Sequence, residues 1–254
     1  MKSYFKLLLS IFAVAMLMVG IQKIQAQEID LEEGLILYLP FNGSATDESG
    51  NNTPANLAGP SLIQDRYGNP DKAYLFDGIN DHIILNNNQA IITGKQFTIC
   101  MWAKINGRSQ VEPKFNNTLF EQRNDDPSAP SGIHFAAERI INTHLELRSS
   151  TSSNSVSLQA DYPGDGVWYH FAATLDEDNN IYLYINGEQK ASRQYTSNGD
   201  FHTGINRVNI GSLHSGSVTT GAFNGAIDEV YIYNRALNYC EIETLYSEQL
   251  LRER

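Results

Sequence analysis

The side chains in this 254-residue sequence that are best suited to binding a sugar lie on two successive predicted strands. Trp168 and His170 alternate on the first strand, and Tyr182 and Tyr184 alternate on the second. Residues two apart on a strand share a face, and aromatic rings beside hydrogen-bonding groups form typical sugar platforms. We therefore predict that Trp168, His170, Tyr182 and Tyr184 contact a ligand. The alternative is that these rings pack in the interior.

Catalytic motifs are absent from the sequence. It contains no Gly-x-Ser-x-Gly elbow, no His-Glu-x-x-His motif and no phosphate-binding loop. Asp228 and Glu229 are adjacent on a predicted strand, so their side chains are expected on opposite faces. The histidines are scattered along the sequence and suggest no zinc cluster. These absences predict a protein that is not an enzyme.

Two acidic loops have the composition of calcium sites, Asp47 to Asn51 and Asp176 to Asn180. Neither fits an EF-hand, because position six is not Gly and position twelve is not Glu in either loop. We interpret both segments as turns.

The amino terminus has the layout of a secretory signal peptide. Lys2 and Lys6 precede an apolar run from Leu7 to about Val19, and the small residue Ala26 closes the segment. The run is shorter than the roughly 20 residues that a membrane helix needs. We predict cleavage after Ala26, so that residues 1–26 are removed and residues 27–254 form one free domain. The expected location is secreted, periplasmic or cell-surface, with no membrane insertion after cleavage.

The formal charge limits the choice of partners. The formal net charge is −11, and removing the three lysines of the predicted signal peptide makes it −14. Such a surface repels phosphate backbones, so nucleic acid is excluded as an expected partner. Acidity is compatible with calcium binding or with solubility alone.

Cys100 and Cys240 are compatible with a disulfide in an oxidising compartment or with two buried thiols.

Short segments rich in β-branched and aromatic residues recur between turn residues. The clearest are Leu35 to Phe41, Ala73 to Phe76, His82 to Leu85, Phe97 to Ile105, His144 to Arg148, Trp168 to Leu175, Ile181 to Asn186, Val208 to Ile210 and Ala226 to Tyr233. Nine such strands predict an antiparallel sandwich or barrel rather than alternating strands and helices.

Two local motifs are more specific. Asn186-Gly187 predicts a type I′ hairpin turn whose return strand starts near Glu188. Asn238 followed by Glu241 predicts a capping box at the start of one short carboxy-terminal helix.

Taken in order, the motifs resemble the laminin G-like, pentraxin-like jelly-roll domains of the concanavalin A-like lectin/glucanase superfamily, which are common in secreted bacterial proteins. The pieces that carry the resemblance run from Leu39 to Gly43, Asp47 to Asn51, Asp65 to Gly68, Phe76 to Ile83, Phe97 to Trp102, Trp168 to Phe171, Leu183 to Gly187 and Gly225 to Leu237. The resemblance implies an all-β fold, a jelly-roll sandwich of two antiparallel sheets with a short C-terminal helix.

The resemblance also implies a structural calcium ion (Ca2+). Carried over by position, its ligands would be Asn42 at the end of the first strand, Gly78 in a hairpin turn and Asp228 in the last strand. Glycosidases of the superfamily place two carboxylates on one face of one strand. Here Glu146 has no carboxylate two or four residues away, so the paired catalytic carboxylates are missing.

Together these observations predict a secreted, non-catalytic binding or adhesion module. Its expected partner is a carbohydrate or a cell-surface protein. A glycoside hydrolase-related protein acting on polysaccharide and a structural envelope component are the alternatives.

Overall fold

A computed structural model describes residues 29–111, 117–124, 131–138, 142–148, 155–196, 204–205, 207–215 and 218–251. Residues 31–254 form one compact unit. The predicted signal peptide, residues 1–26, lies outside the described residues, so its cleavage stays a prediction.

The described residues form seventeen β-strands and one α-helix. In chain order the strands are β1 Leu35–Leu39, β2 Ala55–Ala58, β3 Ser61–Ile63, β4 Ala73–Asp77, β5 His82–Leu85, β6 Phe97–Ile105, β7 Thr118–Arg123, β8 Gly132–Glu138, β9 Asn142–Arg148, β10 Ser155–Ala160, β11 Trp168–Leu175, β12 Asn180–Ile185, β13 Glu188–Gln194, β14 Arg207–Ile210, β15 Leu213–Ser215, β16 Val218–Thr220 and β17 Asn224–Tyr233. The helix, α1, spans Tyr239–Leu251.

Two antiparallel sheets form a sandwich, which confirms the predicted fold class. The eight-stranded sheet has the order β13-β12-β11-β6-β17-β4-β3, and β1 also pairs with β17. The seven-stranded sheet has the order β10-β9-β8-β7-β14-β5-β2, and β15 and β16 form a separate hairpin. Consecutive strands pair at one end of each sheet, whereas pairs such as β11-β6, β6-β17, β7-β14 and β14-β5 bring distant parts of the sequence together.

Alternation along the strands fills the space between the sheets. Buried rings such as Phe76, Phe97, Phe120, Phe135 and Phe171 meet there. Strands with one apolar face bury it against the opposite sheet, and this burial is the dominant favourable term in folding.

The two specific local predictions are confirmed. Asn186 and Gly187 have φ of 54° and 76°, as a type I′ turn requires, and β13 begins at Glu188. The Glu241 amide donates to Asn238 Oδ1 at 3.1 Å, and the Asn238 amide donates to Glu241 Oε2 at 2.7 Å. This reciprocal pair is a capping box.

Helix α1 lies on the outer face of the eight-stranded sheet. Ile242 and Leu245 of α1 pack with Cys100, Ala172 and Tyr184 from the sheet. This contact explains why β6, with large residues on both faces, is buried over almost its whole length. Among the described residues, no helix combines the length and hydropathy that crossing a membrane requires.

The cysteines are not joined. Cys100 is buried beneath α1, whereas Cys240 is exposed at the start of the helix. Burial raises the pKa of the Cys100 thiol, so it behaves as a small apolar side chain.

Candidate functional site

The four predicted ligand-binding residues lie on the outer face of the eight-stranded sheet, close to α1. His170 is 0 % exposed and Tyr184 is 4 % exposed, whereas Trp168 and Tyr182 are partly exposed. A sugar ring needs an accessible platform, so the burial of His170 and Tyr184 argues against direct contact. The ligand role predicted for Trp168 and Tyr182 stays a prediction.

The cover over His170 is aromatic. The ring of Tyr246 on α1 stacks on Trp102 with centroids 5.7 Å apart, and its centroid is 6.1 Å from that of His170. Burial, with the nearby Arg66 charge, lowers the pKa of His170 to about 3, so the ring is neutral at neutral pH. The three rings form an aromatic cluster between the sheet and the helix.

The predicted calcium ligands do not surround one point. Asp77, next to Gly78, pairs with Asn224. Asp228 lies four positions further along β17, so the Cα atoms of Asp77 and Asp228 are about 13 Å apart, too far for the Gly78 carbonyl and the Asp228 side chain to meet. Ligands of one calcium ion lie within about 2.6 Å of it and hence within about 5 Å of each other. The Gly78 carbonyl also accepts a hydrogen bond from the Gln110 amide at 2.7 Å. Gly78 and Asp228 therefore do not fit one calcium site, and the role predicted for Asn42 stays a prediction.

Asp228 has a cationic partner from the protein itself. Arg66 Nη1 lies 2.9 Å from Asp228 Oδ2, and the two side chains are 5 % and 3 % exposed. The guanidinium also lies over the rings of Tyr67 and Trp102, at 4.5 and 4.8 Å from their centroids. Burial and the adjacent Glu229 raise the pKa of Asp228, and Arg66 opposes them. A guanidinium thus stands beside the carboxylate for which a metal was predicted.

The outer face of the seven-stranded sheet carries a row of polar side chains, which we call the polar row. Strand register aligns its members across β14, β7, β8, β9 and β10. In that order they are Asn209, Glu121, His134, Glu146 and Ser157.

Arginines flank the polar row. Arg123 and Arg148 both align with Gly132 of β8, in the next row of the same face. Arg148 donates to Glu146 Oε1 at 3.1 Å, and Arg123 Nη1 lies 3.7 Å from Glu121 Oε1. The glycine between the two arginines leaves a gap in the row, and a Cβ there would lie 2.3 Å from a backbone oxygen.

The polar row deepens from one edge of the sheet towards the middle. Ser157 and Glu146 are partly exposed, His134 is 9 % exposed, and Glu121 and Asn209 are buried. Asn209 Nδ2 donates to Glu121 Oε2 at 3.3 Å. The side chains of Asn209, Glu121 and His134 point away from the core but are covered by other parts of the chain, and we call this covered end of the polar row the recess.

Two of the scattered histidines meet in this recess, contrary to the expectation of no cluster. His144 Nε2 lies 3.3 Å from His134 Nδ1, and His134 Nε2 lies 3.1 Å from Thr118 Oγ1. Donor atoms of His134, His144 and Glu146 all lie within 4.8 Å of one another. Burial lowers the pKa of both histidines, so both rings are neutral at neutral pH.

The sequence pattern predicts only part of this recess. His144 and Glu146 alternate on a predicted strand, which places them on one face. Glu121 and His134 lie on β7 and β8, two strands that hydrophobic patterning does not predict. Their alignment depends on the register between the consecutive strands β7, β8 and β9, which the sequence pattern alone does not supply.

A separate cavity of about 460 Å³ lies on the other sheet, beside α1. Its wall includes Tyr38, Tyr231 and Tyr233, with Tyr38 and Tyr231 stacked at 4.2 Å. The hydroxyls of Tyr38 and Tyr231 both donate to Glu229 Oε2, at 2.9 and 3.0 Å. Glu229 has φ of 51° at the bulge of β17, a conformation that a non-glycine residue rarely adopts.

Comparison with solved structures gives the same fold. Domain 4 of AbnA, an extracellular GH43 arabinanase of Geobacillus stearothermophilus solved with arabinotriose, has a TM-score of 0.63 at 22 % identity, covering 84 % of this chain and 98 % of that domain. The binding domain of Paraclostridial Mosquitocidal Protein 1 has a TM-score of 0.67 at 19 % identity, covering 87 % of this chain and 53 % of that one. The botulinum neurotoxin DC binding domain, solved with SialylT, has a TM-score of 0.64 at 17 % identity, covering 86 % of this chain and 52 % of that one.

The chain thus spans nearly all of the arabinanase domain and about half of each toxin binding domain. At these identities the likeness establishes the fold alone. No curated protein matches the chain. A family model does, over residues 77–243, which is more than half of the sequence. The chain therefore belongs to the Laminin_G_3 family of the concanavalin A-like lectin/glucanases superfamily.

Proposed function

We propose that this protein is a non-catalytic binding module that holds a glycan on the outer face of its seven-stranded sheet. The observation that carries the proposal is the partly exposed end of the polar row, where Ser157 and Glu146 lie near Arg148, and Arg123 flanks the same row. Two solved domains with this fold were studied with saccharide-type ligands, arabinotriose and SialylT. A cell-surface protein is the other partner class that the sequence predicts.

The chemistry of the polar row and its flanking arginines suits a polyhydroxylated ligand. Carboxylates accept hydrogen bonds from sugar hydroxyls, while guanidinium and amide groups donate to them. The row and its flanking arginines supply each kind within a short span of one sheet. The outer face of the other sheet is covered by α1 near His170, which leaves less of it for a ligand.

The proposal is tested first by a glycan array, then by the affinity of variants for an array-positive oligosaccharide. We expect Arg148→Ala and Arg123→Ala each to weaken binding about 10- to 100-fold, because a hydrogen bond from a charged group contributes roughly 1.5–3 kcal/mol. Isothermal titration calorimetry on the full domain measures the affinity of the wild type and of each variant for the oligosaccharide.

Matched controls on the other sheet make the result specific. Lys190→Ala removes an exposed charge from β13 and should leave affinity unchanged. Trp168→Ala tests the aromatic platform predicted from the sequence. A loss confined to Trp168→Ala would place the ligand on the eight-stranded sheet, and binding of proteins but no glycan would favour the adhesion alternative.

A glycoside hydrolase is the second candidate, because Glu121 and Glu146 share the polar row. They lie two strands apart, which separates their Cα atoms by about 9.6 Å, and His134 occupies the position between them. Glu121 is also fully buried and accepts a hydrogen bond from Asn209, so it is not exposed to a substrate that contacts Glu146. We expect no release of reducing sugar from any polysaccharide that the protein binds, and release abolished by Glu121→Gln or Glu146→Gln would overturn this.

We also propose that the module acts outside the cytoplasm. The predicted signal peptide supports this placement, and the similar arabinanase is described as extracellular. Amino-terminal sequencing of the exported protein should begin at Gln27. Retention of the apolar run would contradict it.

A further inference from the structure

We propose that His134, His144 and Glu146 form a binding site for a divalent transition metal, with Zn2+ as the best match. The three residues lie on the neighbouring strands β8 and β9, and Glu146 pairs directly with His134. His144 and Glu146, two residues apart, project to the same face as His134. Two imidazoles and one carboxylate are thereby brought together on a rigid part of the fold.

The spacing of the donor atoms matches tetrahedral coordination. Two nitrogens bound to one zinc ion at about 2.05 Å in tetrahedral geometry lie about 3.3 Å apart. The His134 Nδ1 to His144 Nε2 distance is 3.3 Å. The carboxylate of Glu146 lies within 4.8 Å of both, so a modest side-chain adjustment would bring it into the coordination sphere.

Outer contacts already orient two of the ligands. Thr118 Oγ1 lies 3.1 Å from His134 Nε2, on the side of the ring away from His144. Arg148 donates to Glu146 Oε1 at 3.1 Å. Hydrogen bonds of this kind fix the ring and carboxylate positions in metal sites.

The donor set selects among metals. Calcium and magnesium prefer oxygen ligands, whereas imidazole suits zinc, copper, nickel and iron. Three protein ligands leave the fourth tetrahedral position for water or for a ligand that enters the recess. This site is distinct from the calcium predicted near Asp228.

The test uses metal alone, so it does not depend on whether a glycan binds. Tag-free protein is stripped with a chelator, dialysed and titrated with Zn2+ by calorimetry, and Co2+ is added separately for its visible absorption. We expect one Zn2+ per chain and the intense bands of tetrahedral Co2+. His134→Gln and His144→Gln should each weaken Zn2+ binding more than about 100-fold, and Thr118→Ala by about 10-fold.

The matched control is His82→Gln, which removes a partly exposed histidine at the start of β5. It should bind Zn2+ like the wild type. Circular dichroism and thermal melting confirm that each variant folds. Wild-type protein that binds no Zn2+, or binding that survives both His134→Gln and His144→Gln, would overturn the proposal and leave a hydrogen-bonded histidine pair.

Discussion

Replacing Asp228 with Asn is expected to lower the free energy of unfolding by about 3–5 kcal/mol, because it leaves the buried Arg66 guanidinium without its counter-charge. A guanidinium cannot release its proton at any pH the fold survives. Burial and Glu229 raise the pKa of Asp228 to about 8, so the part of the cost that comes from the lost counter-charge should be largest above that pH, where wild-type Asp228 is ionised, and should shrink as pH falls. Urea unfolding of Asp228→Asn and wild type at several pH values measures it.

The reverse substitution, Arg66→Met, should behave differently. Asp228 can take up a proton, and removing Arg66 raises its pKa further because burial and Glu229 then act unopposed. A carboxyl whose pKa is raised on folding gives stability that is fully present below about pH 4, its unfolded pKa, and is lost as pH rises towards the folded value. With Arg66 present the pKa of Asp228 is about 8, so the deficit of Arg66→Met should be small below about pH 8 and grow at higher pH.

Two further variants serve as controls for the buried ion pair. The double variant Arg66→Met with Asp228→Asn removes both charges and should regain at least half of the stability lost in Asp228→Asn. Lys190→Met breaks an ion pair whose side chains are 36 % and 72 % exposed, and should cost no more than about 1 kcal/mol. If Asp228→Asn unfolds at the same urea concentration as wild type, the buried pair does not stabilise the fold.

Replacing Gly211 with Ala is expected to destabilise the protein by about 2–5 kcal/mol. Gly211 has φ of 86°, where an L-residue is strained by roughly 1–2 kcal/mol. An added Cβ would lie 2.4 Å from the ring of Phe76, and overpacking of this kind costs about 1–3 kcal/mol more. Phe76 is fully buried and packs edge-on against Phe223 at 6.0 Å, so its ring has little room to move.

Gly68→Ala separates the two causes. Gly68 has nearly the same φ, 89°, but nothing lies within 4 Å of its would-be Cβ. It should show the backbone strain alone, about 1–2 kcal/mol. Equal losses for the two variants would mean that Phe76 makes room without cost.

The sequence pattern predicts the parts of the fold that depend on local chemistry. Asn186-Gly187 determines its hairpin, because only residues that tolerate positive φ form that turn. The capping box at Asn238 and Glu241 likewise depends on residues three apart. The apolar character of β6 on both faces indicates its central position, which the packing of α1 explains.

The candidate site depends on contacts that local pattern does not contain. The burial of His170 and Tyr184 follows from where α1 docks, and the sequence does not give that position. Glu121 and His134 meet Glu146 only because β7, β8 and β9 are adjacent in one register. Gly78 and Asp228 do not meet at one point, because they lie far apart along the pairing of β4 with β17.

The most direct test of glycan binding on the seven-stranded sheet is amide chemical-shift mapping of labelled protein with an array-positive oligosaccharide. We expect the largest shifts in β8, β9 and β10, residues 132–138, 142–148 and 155–160. Amides of β11 and β12, residues 168–175 and 180–185, should move little. The largest shifts at Trp168 and Tyr182, with the polar row unchanged, would contradict the proposal.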